Sequence, residues 1–160
     1  MGLRASIVVP NMDSPWVDRT IAALSAQELD RETYEILVVG SDAPGLVPRD
    51  GSVRFVESPR PLGAGASRNL GVQNATGKNI LFTDADCQPS PDWASRLLHT
   101  LDRAPVAGGS VRFSLTGNRW AVADNIASFN ELLADRPAGS RSSQPVGSLN
   151  LGVTREAWQR

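Results

Sequence analysis

The chain has 160 residues, 41% of them apolar and 21% charged, with a formal net charge of −1, a length that suits one domain with a real core. The near-neutral balance excludes a general binder of polyanions, nucleic acid included, while leaving room for a local basic pocket. No apolar run approaches the roughly 18 residues of a membrane helix, the apolar stretch at the N-terminus is too short for a signal peptide, and the single Cys87 and single His99 exclude an internal disulfide, a Cys-based zinc site and two-His chemistry.

Short β-branched runs alternate with helical patterns, which predicts an α/β fold with a mostly parallel sheet. The first strand is Ser6-Ile7-Val8-Val9, stopped by Pro10. Ser14 then caps a helix with Pro15 at its first position, and Val17, Ile21 and Leu24 fall at helical spacing toward the sheet. The second strand, Glu35-Ile36-Leu37-Val38-Val39, ends at a Gly40-Ser41-Asp42 turn. The third is Val53-Arg54-Phe55-Val56. A helix starts near Ala64 and closes before Gly77. Asn79-Ile80-Leu81-Phe82-Thr83 is the fourth strand and runs straight into Asp84-Ala85-Asp86. Ser90-Pro91-Asp92 launches a helix over 93–103. Residues 106–115 read as a strand with a Gly108-Gly109 kink. Val122, Ile126, Phe129 and Leu133 mark one more amphipathic helix, and 136–145 reads as a loop. A last strand spans 149–153, with Thr154 beginning a further helix. No repeat or linker divides the chain, so one domain over residues 1–160 is expected.

Two segments carry chemistry. Asp84 and Asp86 stand at the exit of a buried strand, the end of an open α/β sheet where ligands bind. Mg²⁺ and Mn²⁺ take oxygen ligands, one or two carboxylates being completed by substrate phosphates and water. An isolated Asp-x-Asp is more often a solvated turn, so its setting has to decide. Gly63-Ala64-Gly65-Ala66-Ser67-Arg68-Asn69 lets backbone approach a ligand, and Arg68 can pair with phosphate. A tight turn with an exposed arginine is the bland alternative. Trp16, Trp93 and Trp158 lie near helix starts and are expected to pack on the sheet. Trp120 is instead a candidate to line an acceptor cleft, and His99 reads as a surface residue.

Taken in order, the strand ending at Pro10, the strand 35–39, Gly63 to Asn69, the run from Ala75 to Cys87 and Pro91-Asp92-Trp93 resemble glycosyltransferase family 2, enzymes of the GT-A fold that use nucleotide sugars. The resemblance covers about residues 5–115, and 146–160 more weakly. It implies a Rossmann-like three-layer α/β/α sandwich, and transfer of a sugar with inversion from a UDP- or GDP-sugar to a glycan or lipid-linked acceptor. Pro10, Asn11 and Asp13 would line the base and ribose, and Arg68 would lie near the donor nucleotide. Asp84 and Asp86 match the family's metal-binding Asp-x-Asp. Asp86 is the more direct ligand of Mg²⁺ or Mn²⁺, Asp84 lies nearer the ribose, and Ala85 keeps backbone close to the donor. Cys87 is expected to pack rather than react.

Two departures stand out. Gly40 and Ser41 occupy the place of the family's base-contacting Asp pair, leaving Ser41 or Asp42 as substitutes. The family's catalytic base lies downstream of a Gly-Gly-Phe turn, and 149–158 resembles the strand and helix before that turn. The base is therefore expected beyond Arg160, with Asp124, Glu131, Asp135 and Glu156 read as helix-surface charges. A sugar-nucleotide-binding module without catalysis is the alternative. A nucleotidyltransferase stands behind both, because Asn11-Met12-Asp13 replaces the phosphate loop it needs. The 119–135 helix either covers the acceptor side or lends an apolar face to a partner, a homodimer included. A cytoplasmic location, at most peripheral at the inner face of a membrane, is expected.

Overall fold

The computed structural model describes residues 2–112, 119–120, 122–123, 139 and 146–160. Its centre is a six-stranded sheet built from β1 (Ala5–Met12), β2 (Tyr34–Ser41), β3 (Arg54–Glu57), β4 (Asn79–Thr83), β5 (Val106–Gly108) and β6 (Asn150–Thr154). The strand order is β3-β2-β1-β4-β6-β5. The first four strands run parallel, and β6 is antiparallel to both β4 and β5.

Alternation along the strands explains the layering. Ile7 and Val9 of β1 join Tyr34, Ile36 and Val38 of β2 in one apolar cluster, while Val8, Leu37 and Val39 join another on the opposite face. Burial on both faces is what a parallel sheet covered by helices requires. The helix α1 (Val17–Ser25) seats Val17, Ile21 and Leu24 on the first face, beside Trp93, Leu97, Leu98 and Leu101 of α3 (Trp93–Leu101). The second face is covered by α2 (Ala64–Asn74), through Val72, and by the short helix Arg155–Trp158, through Ala157. Each fully buried aliphatic side chain here stabilises the fold by about 1.5–3 kcal/mol. Gly71 lets α2 sit close, since a Cβ there would lie 2.3 Å from Val8 Cγ1. The result is the three-layer α/β/α sandwich expected from the sequence.

The winding positions the site. From β1 the chain passes through α1 to β2 on one side, whereas from β3 it passes through α2 to β4 on the other side of β1. The direction therefore reverses between β1 and β4. Such a switch point opens a crevice at the carboxyl ends of those strands.

Several boundaries differ from the sequence expectation. β1 continues through Pro10, because its pairing with β4 ends at Val8↔Phe82 while that with β2 runs on to Met12↔Ser41. Proline is tolerated where a strand has a neighbour on one side only. Gly40 and Ser41 belong to β2 rather than to a turn. The first helix begins at Val17, not Pro15, and the Ser14 hydroxyl accepts the Trp16 N–H at 3.3 Å in the turn before it. α3 ends at Leu101 and β5 at Gly108. The expected strand beyond residue 112, the helical positions Ile126, Phe129 and Leu133, and the loop 136–145 apart from residue 139 lie outside the described residues.

Of the tryptophans, Trp93 is buried and donates its indole N–H to Asn150 Oδ1 at 2.8 Å, and Trp158 packs on Phe82 with ring centroids 5.4 Å apart. Trp16 departs from expectation. It is exposed, with the Arg19 guanidinium stacked 4.3 Å from its ring. Trp120 and His99 are also exposed. Among the described residues no helix is long and apolar enough to cross a membrane.

Candidate functional site

β4 carries Ile80, Leu81, Phe82 and Thr83 through the core and then turns. The turn is closed by the Cys87 N–H donating to the Asp84 carbonyl at 3.1 Å. It sorts the side chains, with Ala85 buried, Asp84 half-buried and Asp86 exposed. Facing the turn is a cleft of about 230 Å³ at the switch point. Its walls are Pro10, Asn11, Met12 and Ser14 at the end of β1, Leu62, Ala64 and Ser67 around the start of α2, and Asp84, Ala85 and Asp86. The two aspartates are the only acids among the described residues lining it.

Seven of the residues singled out from sequence thus meet in one place: Pro10, Asn11, Ala64, Ser67, Asp84, Ala85 and Asp86. Arg68 joins them indirectly. Its guanidinium is mostly buried and forms an ion pair with the Asp84 carboxylate. Its Nε–H is buried and has no hydrogen-bond partner among the described residues. An orphaned donor of this kind is costly unless something accepts from it, and it lies beside a cleft able to admit an acceptor oxygen. A Cβ built on Gly63 or Gly65 would meet no atom within 4 Å. Packing therefore does not demand those glycines, and that side of the crevice stays open.

Asn11, besides lining the cleft, and the remaining named residues do structural work at the ends of β1 and β2. Asn11 is buried, with its Nδ2–H donating to the Ser41 carbonyl at 2.8 Å and its Oδ1 accepting the Ser14 N–H at 3.1 Å. Asp13 adopts φ +57° and accepts the Ala43 N–H at 2.7 Å. Asp42, expected to substitute for a base-contacting carboxylate, has a side chain only 1% exposed. Its two oxygens accept the N–H groups of Leu46 and Val47 at 3.0 and 2.9 Å. That carboxylate is spent on its own turn, and neither Ser41 nor Asp42 lines the cleft.

Burial, with the neighbouring Asp86 and Asp84 charges added to it, pushes the Cys87 thiol up to about 11. At neutral pH Cys87 is therefore held as the protonated thiol. Glu156 pairs with Arg160 at 2.7 Å and lines a separate hollow with Lys78 and Asn79, at the opposite end of β4 from Asp84. The positions of Asp124, Glu131 and Asp135 lie outside the described residues. Met12, Ser14 and Leu62 were not anticipated. The first two alternate with residues that were, which was the available signal.

Among the described residues no three His, Cys, Asp or Glu side chains gather into a cage. The exposed Asp86 carboxylate on the cleft wall instead suits a hard divalent ion held by one carboxylate, phosphate oxygens and water.

Comparison with known proteins adds to this geometry. The family model described as Glycosyl transferase family 2 matches residues 6–149. The chain is 26% identical over 162 residues to "Glycosyltransferase AglE" of Haloferax volcanii, covering 94% of this chain and 52% of that protein. It therefore spans about half the length of the curated relative it matches. Among solved structures, mannosyltransferase PcManGT from Pyrobaculum calidifontis in complex with GDP-Man and Mn²⁺ superposes with a TM-score of 0.70 at 20% identity, over 98% of this chain and 46% of that one. S. aureus TarS 1-349 in complex with UDP-GlcNAc gives a TM-score of 0.60 at 16% identity, over 72% and 36% of the respective chains. At such identities the solved structures speak to the fold.

Proposed function

The chain belongs to glycosyl transferase family 2, with the GT-A fold, and we propose that it is the donor-binding domain of a metal-dependent, inverting glycosyltransferase acting on a nucleoside diphosphate sugar. The observation that carries this reading is the coincidence of the switch-point cleft with the Asp84-Ala85-Asp86 turn. The two solved neighbours named above are complexes with GDP-Man and Mn²⁺ and with UDP-GlcNAc, which supports the donor class and leaves the nucleotide as UDP or GDP. The acceptor is a glycan or lipid-linked hydroxyl, and the expected setting is the cytoplasm.

Each residue has a role in this reading. Asp86 offers its carboxylate to Mg²⁺ or Mn²⁺ at the donor's diphosphate. Asp84, held by Arg68, stands on the ribose side. Pro10, Asn11 and Asp13 border the nucleoside, and the small Ala85 and the open Gly63–Gly65 stretch leave room for the diphosphate. In the transfer, the acceptor oxygen bonds to the anomeric carbon while the bond from that carbon to the phosphate oxygen breaks on the opposite face. The acceptor proton passes to a carboxylate, and the leaving diphosphate gains charge. When bound, the divalent ion supplies Lewis-acid stabilisation of that charge. The Arg68 guanidinium adds a fixed positive charge beside it.

Both acids that line the cleft among the described residues are assigned to donor binding, which leaves the base to another segment. The same observation favours a second reading, a sugar-nucleotide-binding module without transfer. Product formation by the full-length protein with a panel of donors and hydroxyl acceptors separates the two. Isothermal titration with UDP and GDP, each with Mn²⁺ and with EDTA, tests the site itself. Asp86→Ala is expected to abolish the metal dependence of binding, and an unchanged dependence removes Asp86 from the site.

A further inference from the structure

Four carbonyls in the segment that carries Asp86 are held from one direction. The Ser14 hydroxyl donates to the Ala85 carbonyl at 3.2 Å, and the Thr20 hydroxyl to that of Cys87 at 2.7 Å. The Gln27 amide donates to the Ser90 carbonyl at 2.8 Å, and the Glu28 N–H to that of Pro91 at 2.7 Å. Every donor belongs to α1 or to the chain flanking it. Gln27 Oε1 also accepts the Ala94 N–H at 2.8 Å, which fixes the start of α3.

Thr20 is fully buried on the helix face that also buries Val17, Ile21 and Leu24. Packing alone would be served by valine, which has the same shape and no hydroxyl to desolvate. The hydroxyl is instead satisfied by one carbonyl, 67 residues away in sequence. Ser14 and Thr20 together hold the peptide carbonyls of the two residues on either side of Asp86. Asp84 is fixed separately, by Arg68 and by the Cys87 N–H.

We infer that Thr20, with Ser14, is a positioning residue for Asp86, so that its carboxylate meets a divalent ion in one geometry. The inference rests on the reading of Asp86 given under the proposed function. Groups that orient a metal ligand without touching the metal are worth about 10–100-fold in affinity.

The test compares wild type, Thr20→Val, Thr20→Ser, Ser14→Ala and the packing control Ile21→Val by titration with UDP and GDP, each with Mn²⁺ and with EDTA, alongside thermal melts. Thr20→Val is expected to weaken Mn²⁺-dependent nucleotide affinity by about 10-fold and to leave affinity in EDTA unchanged. Thr20→Ser is expected to restore it, and Ile21→Val to lower the melting temperature without moving the metal dependence. Wild-type Mn²⁺ dependence in Thr20→Val, or an equal loss in Ile21→Val, overturns the inference. Should Thr20→Val not fold, the partly exposed Ser14→Ala decides: a several-fold loss confined to Mn²⁺-dependent affinity supports the inference, and no loss, or an equal loss in EDTA, overturns it. A wild-type chain that shows no Mn²⁺-dependent binding instead overturns the metal reading of Asp86, and this inference with it.

Discussion

A Cβ at position 40 would lie 1.9 Å from the carbonyl oxygen of Asn11, on a backbone at φ +134° that L side chains rarely adopt. Glycine there lets β1 and β2 close on each other just below the cleft, where Asn11 reaches the Ser41 carbonyl. Gly40→Ala should therefore cost about 2–4 kcal/mol, measured by urea denaturation. Gly45→Ala is the comparison, with φ +69° and nothing within 4 Å, and should cost only about 1 kcal/mol. Equal losses would mean that the contact at Asn11 gives way. Residue 40 also shows what a sequence hides, since a glycine after an apolar run reads as a turn unless its tertiary neighbour is known. The place of Asp84 and Asp86 beside the cleft was legible from acids set directly after an apolar strand. The hydrogen bonds of Asp42 were not, because nothing local reveals that its own turn takes both its oxygens.

At the scale of elements, Glu35 fastens three pieces of chain at the end of the sheet away from the cleft. Its carboxylate accepts the Ser6 hydroxyl of β1 at 2.7 Å, and the N–H and hydroxyl of Thr76, before β4, at 2.7 and 2.6 Å. Arg54 of β3 stands 3.6 Å away. Burial pushes the Glu35 carboxyl upward, but the Thr76 and Ser6 hydrogen bonds and the Arg54 charge outweigh it and leave the group below its ordinary value of 4.5. A carboxyl depressed on folding stabilises the protein above its unfolded value, and that contribution fades as pH falls through the folded one. Glu35→Gln should thus cost about 1–2 kcal/mol at pH 7. The gap to wild type should narrow from about pH 5 downward, as read from denaturation at pH 7, 5 and 3.5. A gap constant with pH would show that the charge contributes nothing. Elements were most legible where apolar runs met glycine or proline at their true ends, as in α2 and β4, whose expected limits match. They were least legible where tertiary partners override local signals. Pro10 stays in β1 because one flank of the strand is unpaired, and Ser14 stands in the turn before α1 with its hydroxyl also donating to Ala85.

For the whole molecule, both apolar clusters share the strands β1, β2 and β4, so neither face can dissolve without exposing the back of the other. We expect the chain to unfold as one cooperative domain, with tryptophan fluorescence and far-ultraviolet circular dichroism giving coincident transitions. Two separated transitions would divide it. One side chain at the far edge of the sheet gathers several elements. Where β5 meets β6, the Gly109 N–H donates to the Asn150 carbonyl at 3.0 Å, and Asn150 Nδ2–H donates to the Ser110 carbonyl at 2.8 Å. The same amide takes the Trp93 indole N–H on its oxygen, and its backbone lies opposite Thr83 in the ladder. Asn150 is thus a rivet through β4, β6, the end of β5 and the start of α3, and a change there loosens all four together.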